Sequence, residues 1–393
     1  MSYDIAGLRR AIREAFPATK TGTNLRSNTL PMNRFSRKIA AIFQLVLIVV
    51  ALCPTAPALA DSIKIGISLP LSGEGATYGM DYRKIYTFAN EKLANNAYHL
   101  VFEDDRCSGK DASAAAQKLI SVDKVTHVLG VACDTAFSSA SSIYERAGIT
   151  VISTSANYMV GTHLFHTNLG ASSFAQPLYD YVLPRHKTVG LIYEDTVFAS
   201  NFADSFIALN KDKSLSFIKE NFVSNEVSVR PQLLRIKQSN AEAIIVVPQT
   251  EDSLYRVVKL LHEMNWSKPI YSTFFPASKS FLEQAGPLSE GIVFSDFPDL
   301  SSVMNDGGKL LYQQYVARNG EPTSGPGIFP GAIEAFRAMD QAIRSDRPAP
   351  QYLRKTTFEG VLGPWQFDSN GVWNGYRPII KRIREGKPDT NLQ

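Results

Sequence analysis

The chain has 393 residues, 44% of them apolar and 20% charged, the composition of a soluble globular protein too long for one ordinary core, so two domains are expected. Its basic pI of about 8.8 comes from the front, where the first 60 residues hold eight Lys/Arg and two Asp/Glu. The remainder carries 33 bases against 35 acids, so no basic face for nucleic acid is implied.

Residues 1–31 read as an upstream extension, because a secretory signal should open a chain. Met32 begins a positively charged stretch with Arg34, Arg37 and Lys38, Ile39 to Leu52 is an apolar run of 14 residues, and Ala58-Leu59-Ala60 is a small-residue cleavage site. Residues 32–60 therefore read as a signal peptide, the run being too short for a comfortable membrane span. Cys53 does not make a lipoprotein site, since the large Leu52 precedes it and Pro54 follows. The mature chain is expected to start at Asp61, in the periplasm, with Cys107 and Cys133 as its two cysteines. One disulfide is the default in an oxidising compartment, contributing roughly 3–4 kcal/mol in the chain-entropy view. A metal or redox role is disfavoured, because there is no CxxC and no His spaced with either cysteine.

In chain order, Ser62 to Pro70 reads as a strand, and a Gly-rich turn leads into a helix over Tyr78 to Ala94. Gly73, Gly75 and Gly79 form neither GxGxxG nor GxxxxGK[ST], so no nucleotide loop is expected. HLVFED is a strand, and Ala112, Ala116, Leu119 and Ile120 mark a helix capped by Ser108 or Asp111. HVLGVA is the next strand, followed by a helix with Ala136, Ala140, Ile143, Tyr144 and Ala147 on one face. Gly148 stops it and ITVIST follows. Such βαβ units build a parallel sheet, whose ligands sit beyond the carboxyl ends of the strands. Cys133-Asp134-Thr135 and Ser153 to Asn157 fall at those ends, so Asp134, Thr135, Ser155 and Asn157 are candidate ligand contacts.

A second set begins around Phe174 to Pro184. KTVGLIYED, SFIKENFVS, AEAIIVVPQ and PIYSTFF read as strands, alternating with helices FASNFADSFIALN, VRPQLLRIKQS and LYRVVKLLHEMNW. After a helix at Gly307 to Asn319 comes a Pro/Gly-rich loop, EPTSGPGIFP, then a helix around Ala332 to Ile343. The stretch from Phe358 to Ile383 has the Gly turns and alternation of a β-hairpin. No GxSxG elbow supports a hydrolase; Gly66-Ile-Ser-Leu-Pro is the nearest and lies at a strand end.

Over nearly all of 63–384 the chain resembles the leucine/isoleucine/valine-binding protein family, the type I periplasmic receptors that feed ABC importers. The likeness is carried by IKIGISLPLSGEGATYG, EDDRCSGKDASAAAQKLI, GVACDT, SSIYERAGITVISTSAN and FEGVLGPWQFDSNG. It implies an α/β fold of two Rossmann-like parallel-sheet lobes joined by three crossings, with an N-lobe of 61–176 plus 300–375 and a C-lobe of 177–299 plus 376–393. It further implies a Cys107–Cys133 disulfide and a monomeric, non-enzymatic receptor with no cofactor or metal. The implied partners are a small-molecule ligand and an inner-membrane permease with a cytoplasmic ATPase.

The pocket departs from the family pattern. The family's carboxylate-binding Ser after the second cysteine is here Asp134, and the second-lobe Glu that holds an ammonium falls on Phe274, or Phe275 with a one-residue slip. A family Thr becomes Asn157, a Tyr becomes Phe198, and another pocket Tyr falls near Thr250, while Tyr78 keeps its aromatic. Each has a plainer role: Asp134 as a helix N-cap, Phe274 and Phe275 as core, Tyr78 as packing under its loop, Asn157 as the brace of its own turn. Together they point to an aromatic or apolar ligand, or an organic cation, and away from a plain amino acid. The alternatives are a true branched-chain amino acid or amide receptor, and a periplasmic sensor domain acting on a membrane partner.

Overall fold

The computed structural model describes residues 62–392, apart from Glu74 and Asn225; the expected extension and signal peptide lie outside the described residues. Extended runs of three to seven residues, the central ones apolar, make the strands, and amphipathic stretches make the helices between them. The first lobe opens with β1 (Lys64–Leu69), α1 (Ala76–Ala94), β2 (His99–Asp104) and α2 (Gly109–Ser121). It continues with β3 (His127–Gly130), α3 (Asp134–Arg146), β4 (Thr150–Ser153) and β5 (Leu164–His166). All pairings are parallel, in the order β2-β1-β3-β4-β5. Of the two caps read for α2, Ser108 is the one used, accepting from the Asp111 amide at 3.4 Å.

The chain then enters the second lobe through α4 (Ala171–Val182), followed by β6 (Thr188–Glu194), α5 (Val197–Leu209), β7 (Ser216–Phe222) and α6 (Arg230–Gln238). Next come β8 (Ala243–Val247), α7 (Glu251–Glu263), β9 (Ile270–Ser272), α8 (Lys279–Ala285) and β10 (Val293–Asp296). It returns for α9 (Leu300–Val303), α10 (Asp306–Asn319), α11 (Ile328–Arg344) and α12 (Ala349–Lys355). The hairpin β11 (Phe358–Gly360) and β12 (Gly363–Trp365) follows, and β13 (Ile379–Arg384) and β14 (Lys387–Asp389) end in the second sheet. That sheet runs β14-β13-β10-β9-β8-β6-β7, antiparallel only at β10-β13-β14.

Three cores hold these layers. Ala112, Leu119, Ala136, Ala140 and Tyr144 pack with Val128 and Val151 on one face of the first sheet. Tyr82, Ile85, Phe329, Ile333 and Phe336 pack with Ile67 and Leu129 on the other. The second lobe has one continuous core, in which Leu254, Val257, Val258 and Leu261 of α7 are all buried. Each such side chain contributes about 1.5–3 kcal/mol on leaving water.

The chain crosses between the sheets after β5, after β10 and before β13. Phe174, Ala175 and Leu178 belong to the second core, so the first crossing precedes Ala171. Other readings shift too. PIYSTFF stops being a strand at Ser272, because Pro276 directs Phe275–Ala277 into a 3-10 turn. The Pro/Gly loop yields its last residues to α11, where Pro330 falls in the first turn and has no helical amide partner to lose. The closing stretch is not one hairpin: Ile379–Arg384 leaves β11–β12 and pairs with β10.

Candidate functional site

In both sheets the strand order reverses beside the first strand of the lobe, at β1/β3 and at β6/β8, and a crevice opens there beyond the carboxyl ends. On the first lobe, α1 enters close under the end of β1. A Cβ on Gly79 would stand 1.9 Å from the Pro70 carbonyl oxygen, so only glycine admits this approach. That entry sets Tyr78 into the crevice, its hydroxyl 3.2 Å from the Tyr82 hydroxyl and the two rings edge to face at 4.8 Å. Burial pushes the Tyr78 phenol well above its ordinary range, with Tyr82, Asp134 and Glu251 adding to the shift.

After β3 the backbone turns through positive φ at Gly130 and Val131, held where the Val131 amide donates to the Ser68 carbonyl at 2.7 Å. Cys133 follows, disulfide-bonded to Cys107 with their Cα atoms 5.3 Å apart. Cys133 is the N-cap residue of α3 and Asp134 its first helical residue, with no side-chain cap. The cap reading of Asp134 is thereby corrected: the N-cap position belongs to Cys133, and the Asp134 carboxylate crosses to the β4 turn. Its Oδ1 accepts from the Ser155 hydroxyl at 2.9 Å and the Ala156 amide at 2.8 Å, while the buried Oδ2 has no partner. Burial lifts this carboxyl to about 6 despite those donors.

On the second lobe, Thr196 caps α5 and places Phe198 one residue into the helix. Buried Glu194, at the end of β6, accepts from the Gln249 amide at 2.8 Å and the Ser253 hydroxyl at 2.6 Å, which fixes the turn from β8 into α7. Thr250 caps α7 by accepting from the Ser253 amide at 3.2 Å, so its hydroxyl oxygen is engaged there. Glu251, the first residue of α7, is 8% exposed, and burial raises its carboxyl to about 7. Phe274 lies beyond β9 within an aromatic cluster, its ring centre 4.5 Å from that of Phe275, 5.0 Å from Phe174 and 5.5 Å from Phe198.

Tyr78 and Asp134 from the first lobe meet Phe198, Thr250, Glu251, Phe274 and Phe275 from the second around an inner cavity of about 40 Å³. Tyr78, Glu251 and Phe274 also border an outer chamber of about 320 Å³, reaching Asp296, Asp299 and Lys381. Lys381 is held between Asp296 at 3.0 Å and Asp299 at 2.8 Å. Thr135, Ser155 and Asn157 do not border either cavity. Ser155 instead orients Asp134, and Asn157 donates to the Ser138 hydroxyl and accepts from Asn201 of α5, tying the lobes together at 3.1 Å. Sequence reasoning missed Glu251 and Gln249. A Glu directly after a capping Thr is the usual acid of a helix's first turn, and nothing in its local pattern marks it as buried.

Residues 62–375 match the family described as periplasmic binding protein. The chain belongs to that family. Among relatives of this periplasmic binding protein, a Leu/Ile/Val-binding protein of Escherichia coli K12 is 22% identical over 347 residues, covering 83% of this chain and 92% of its own length. A leucine-specific-binding protein of Salmonella typhimurium is 24% identical over 364 residues, covering 84% and 92%. A leucine binding protein from Thermotoga maritima superposes with a TM-score of 0.75 at 18% identity, covering 83% of this chain and 97% of that one. A Rhodopseudomonas palustris solute binding protein in complex with benzoate gives 0.72 at 16% identity, covering 84% and 95%. At these identities the superpositions establish a shared fold and leave the ligand open.

Proposed function

We propose that this periplasmic binding protein is the solute receptor of an ABC importer of the branched-chain-amino-acid type, secreted with its signal removed near Asp61. It closes its lobes over a small molecule, and a membrane permease recognises the closed form. The ligand has an apolar or aromatic body and is not a plain amino acid. One observation carries this reading: the two sheets bring their crevices to one cavity, where a carboxylate stands on the first-lobe side and Phe274 on the second-lobe side. A zwitterion would set its carboxylate against the Asp134 carboxyl, with Phe274 standing where the family pattern expects the acid for its ammonium and Glu251 as the second-lobe carboxyl of the same cavity. Losing such a charged partner typically costs 2–5 kcal/mol, about 30- to 5,000-fold in affinity.

The amino-acid reading is favoured by the names of the relatives and by the backbone amides at the start of α3, which suit a carboxylate. Calorimetry on protein refolded to remove co-purified ligand separates the two. Leucine, isoleucine and valine are expected to bind in the millimolar range or weaker, and micromolar binding of any of them contradicts the proposal.

A further inference from the structure

Among the described residues that line the inner cavity there is no Lys, Arg or His. The cavity has two carboxyls on opposite lobes: Asp134, 3% exposed, and Glu251, 8% exposed. Asp134 Oδ2 is buried without a partner, and so is Oε1 of Gln249, which lines the same cavity. Both are acceptors. The Tyr78 hydroxyl pairs with that of Tyr82, and Thr250 Oγ1 accepts from the Ser253 amide, its own O–H remaining to donate. The cavity thus sets two carboxyls against no cationic side chain among its described lining residues, between the rings of Tyr78, Phe198, Phe274 and Phe275. Unpaired buried acceptors are costly, and a bound group that supplies N–H donors and a positive charge removes that cost. The rings suit the same occupant, since aromatic faces attract cations.

We propose that Glu251 and Asp134 together hold the ammonium head of a small organic amine that lacks a carboxylate, with its apolar body directed toward the outer chamber. This rests on the reading of the cleft as a solute site. About 40 Å³ suits a head group, and the chamber of about 320 Å³, sharing Tyr78, Glu251 and Phe274, leaves room for the body. Among the described residues the chamber offers no free cation to an acidic ligand, because its one basic side chain, Lys381, lies between Asp296 and Asp299. Glu251 thereby supplies, one helix away, the second-lobe acid that Phe274 does not. The unpartnered acceptors favour an ammonium bearing N–H groups over a quaternary one.

The test is calorimetry of the purified protein with benzylamine and phenethylamine, against benzyl alcohol, choline, benzoate and leucine. The two amines are expected to bind, with benzyl alcohol and choline weaker by at least about tenfold. Glu251→Gln and Asp134→Asn should each weaken the amines by at least about tenfold while leaving benzyl alcohol within about twofold, a split that a merely structural role does not produce. Either variant that folds suffices for the comparison. Amine affinity should also fall as pH drops through 7 and 6, where the carboxyls take up protons. Binding of leucine or benzoate with the amines silent overturns the amine assignment and leaves the receptor reading standing; silence toward the whole panel overturns both. Amine affinity unchanged in Glu251→Gln overturns the role of that residue.

Discussion

Asp134 and Glu251 sit in the cleft with carboxyls raised from 3.8 to about 6 and from 4.5 to about 7, in each case by burial first. Each rise corresponds to about 3 kcal/mol between the ionised and neutral forms. An acid whose folded pKa is raised favours the fold fully below its unfolded pKa and loses that contribution as pH climbs through the folded value. The ligand-free protein should therefore lose stability from these two groups between about pH 4 and pH 7. Thermal melts of Asp134→Asn and Glu251→Gln should differ little from the parent at pH 4 and exceed it at pH 8, by up to about 3 kcal/mol each. Melting curves that run parallel at all pH values would contradict the assignment of buried carboxyls whose ionised forms the fold disfavours. Asp134 was legible in the sequence because it follows a cysteine at a strand end, where sheet topology puts ligands. Glu251 was not, since local pattern cannot tell a solvated first-turn acid from one that the opposite lobe covers.

Among elements, the parallel strands were legible because burial on both faces makes them continuous apolar runs, as in AIIVV of β8. The three-residue β5 was not, being too short for periodicity, and β13 was hidden because its partner β10 is remote in sequence. The turns that aim the site are tighter than composition reveals. Gly79→Ala would drive a methyl into the Pro70 carbonyl, so α1 must shift, carrying Tyr78 with it. Destabilisation of about 2 kcal/mol or more is expected in denaturant melts, and a neutral effect would mean that α1 does not enter this closely. The Cys107–Cys133 bond joins the α2 and α3 entrances at the cavity wall. Thiol titration of denatured, unreduced protein from the periplasm should give close to zero, whereas two reactive thiols would refute the bond.

For the whole molecule, the resemblance carried the two-sheet architecture because order and spacing agree over nearly all of residues 63–384. The ligand class depends instead on side chains brought together from residues 78, 134 and 251, which no local stretch records. The three crossings run close together: His166 bridges to Val372, and the Tyr376 hydroxyl donates to the Gly327 carbonyl at 2.9 Å beside Phe297. Such a narrow connection suits hinge closure, with Asn157–Asn201 as a contact that opening would break. The central claim is that the cleft between the sheets selects a cation with an apolar body. Its most direct test is mass spectrometry of the small molecules released on denaturing protein purified under native conditions from the periplasm. The account predicts an amine without a carboxylate, recovered at about one per chain and absent from a Glu251→Gln preparation. Recovery of leucine, isoleucine, valine or an aromatic acid at that stoichiometry would contradict it.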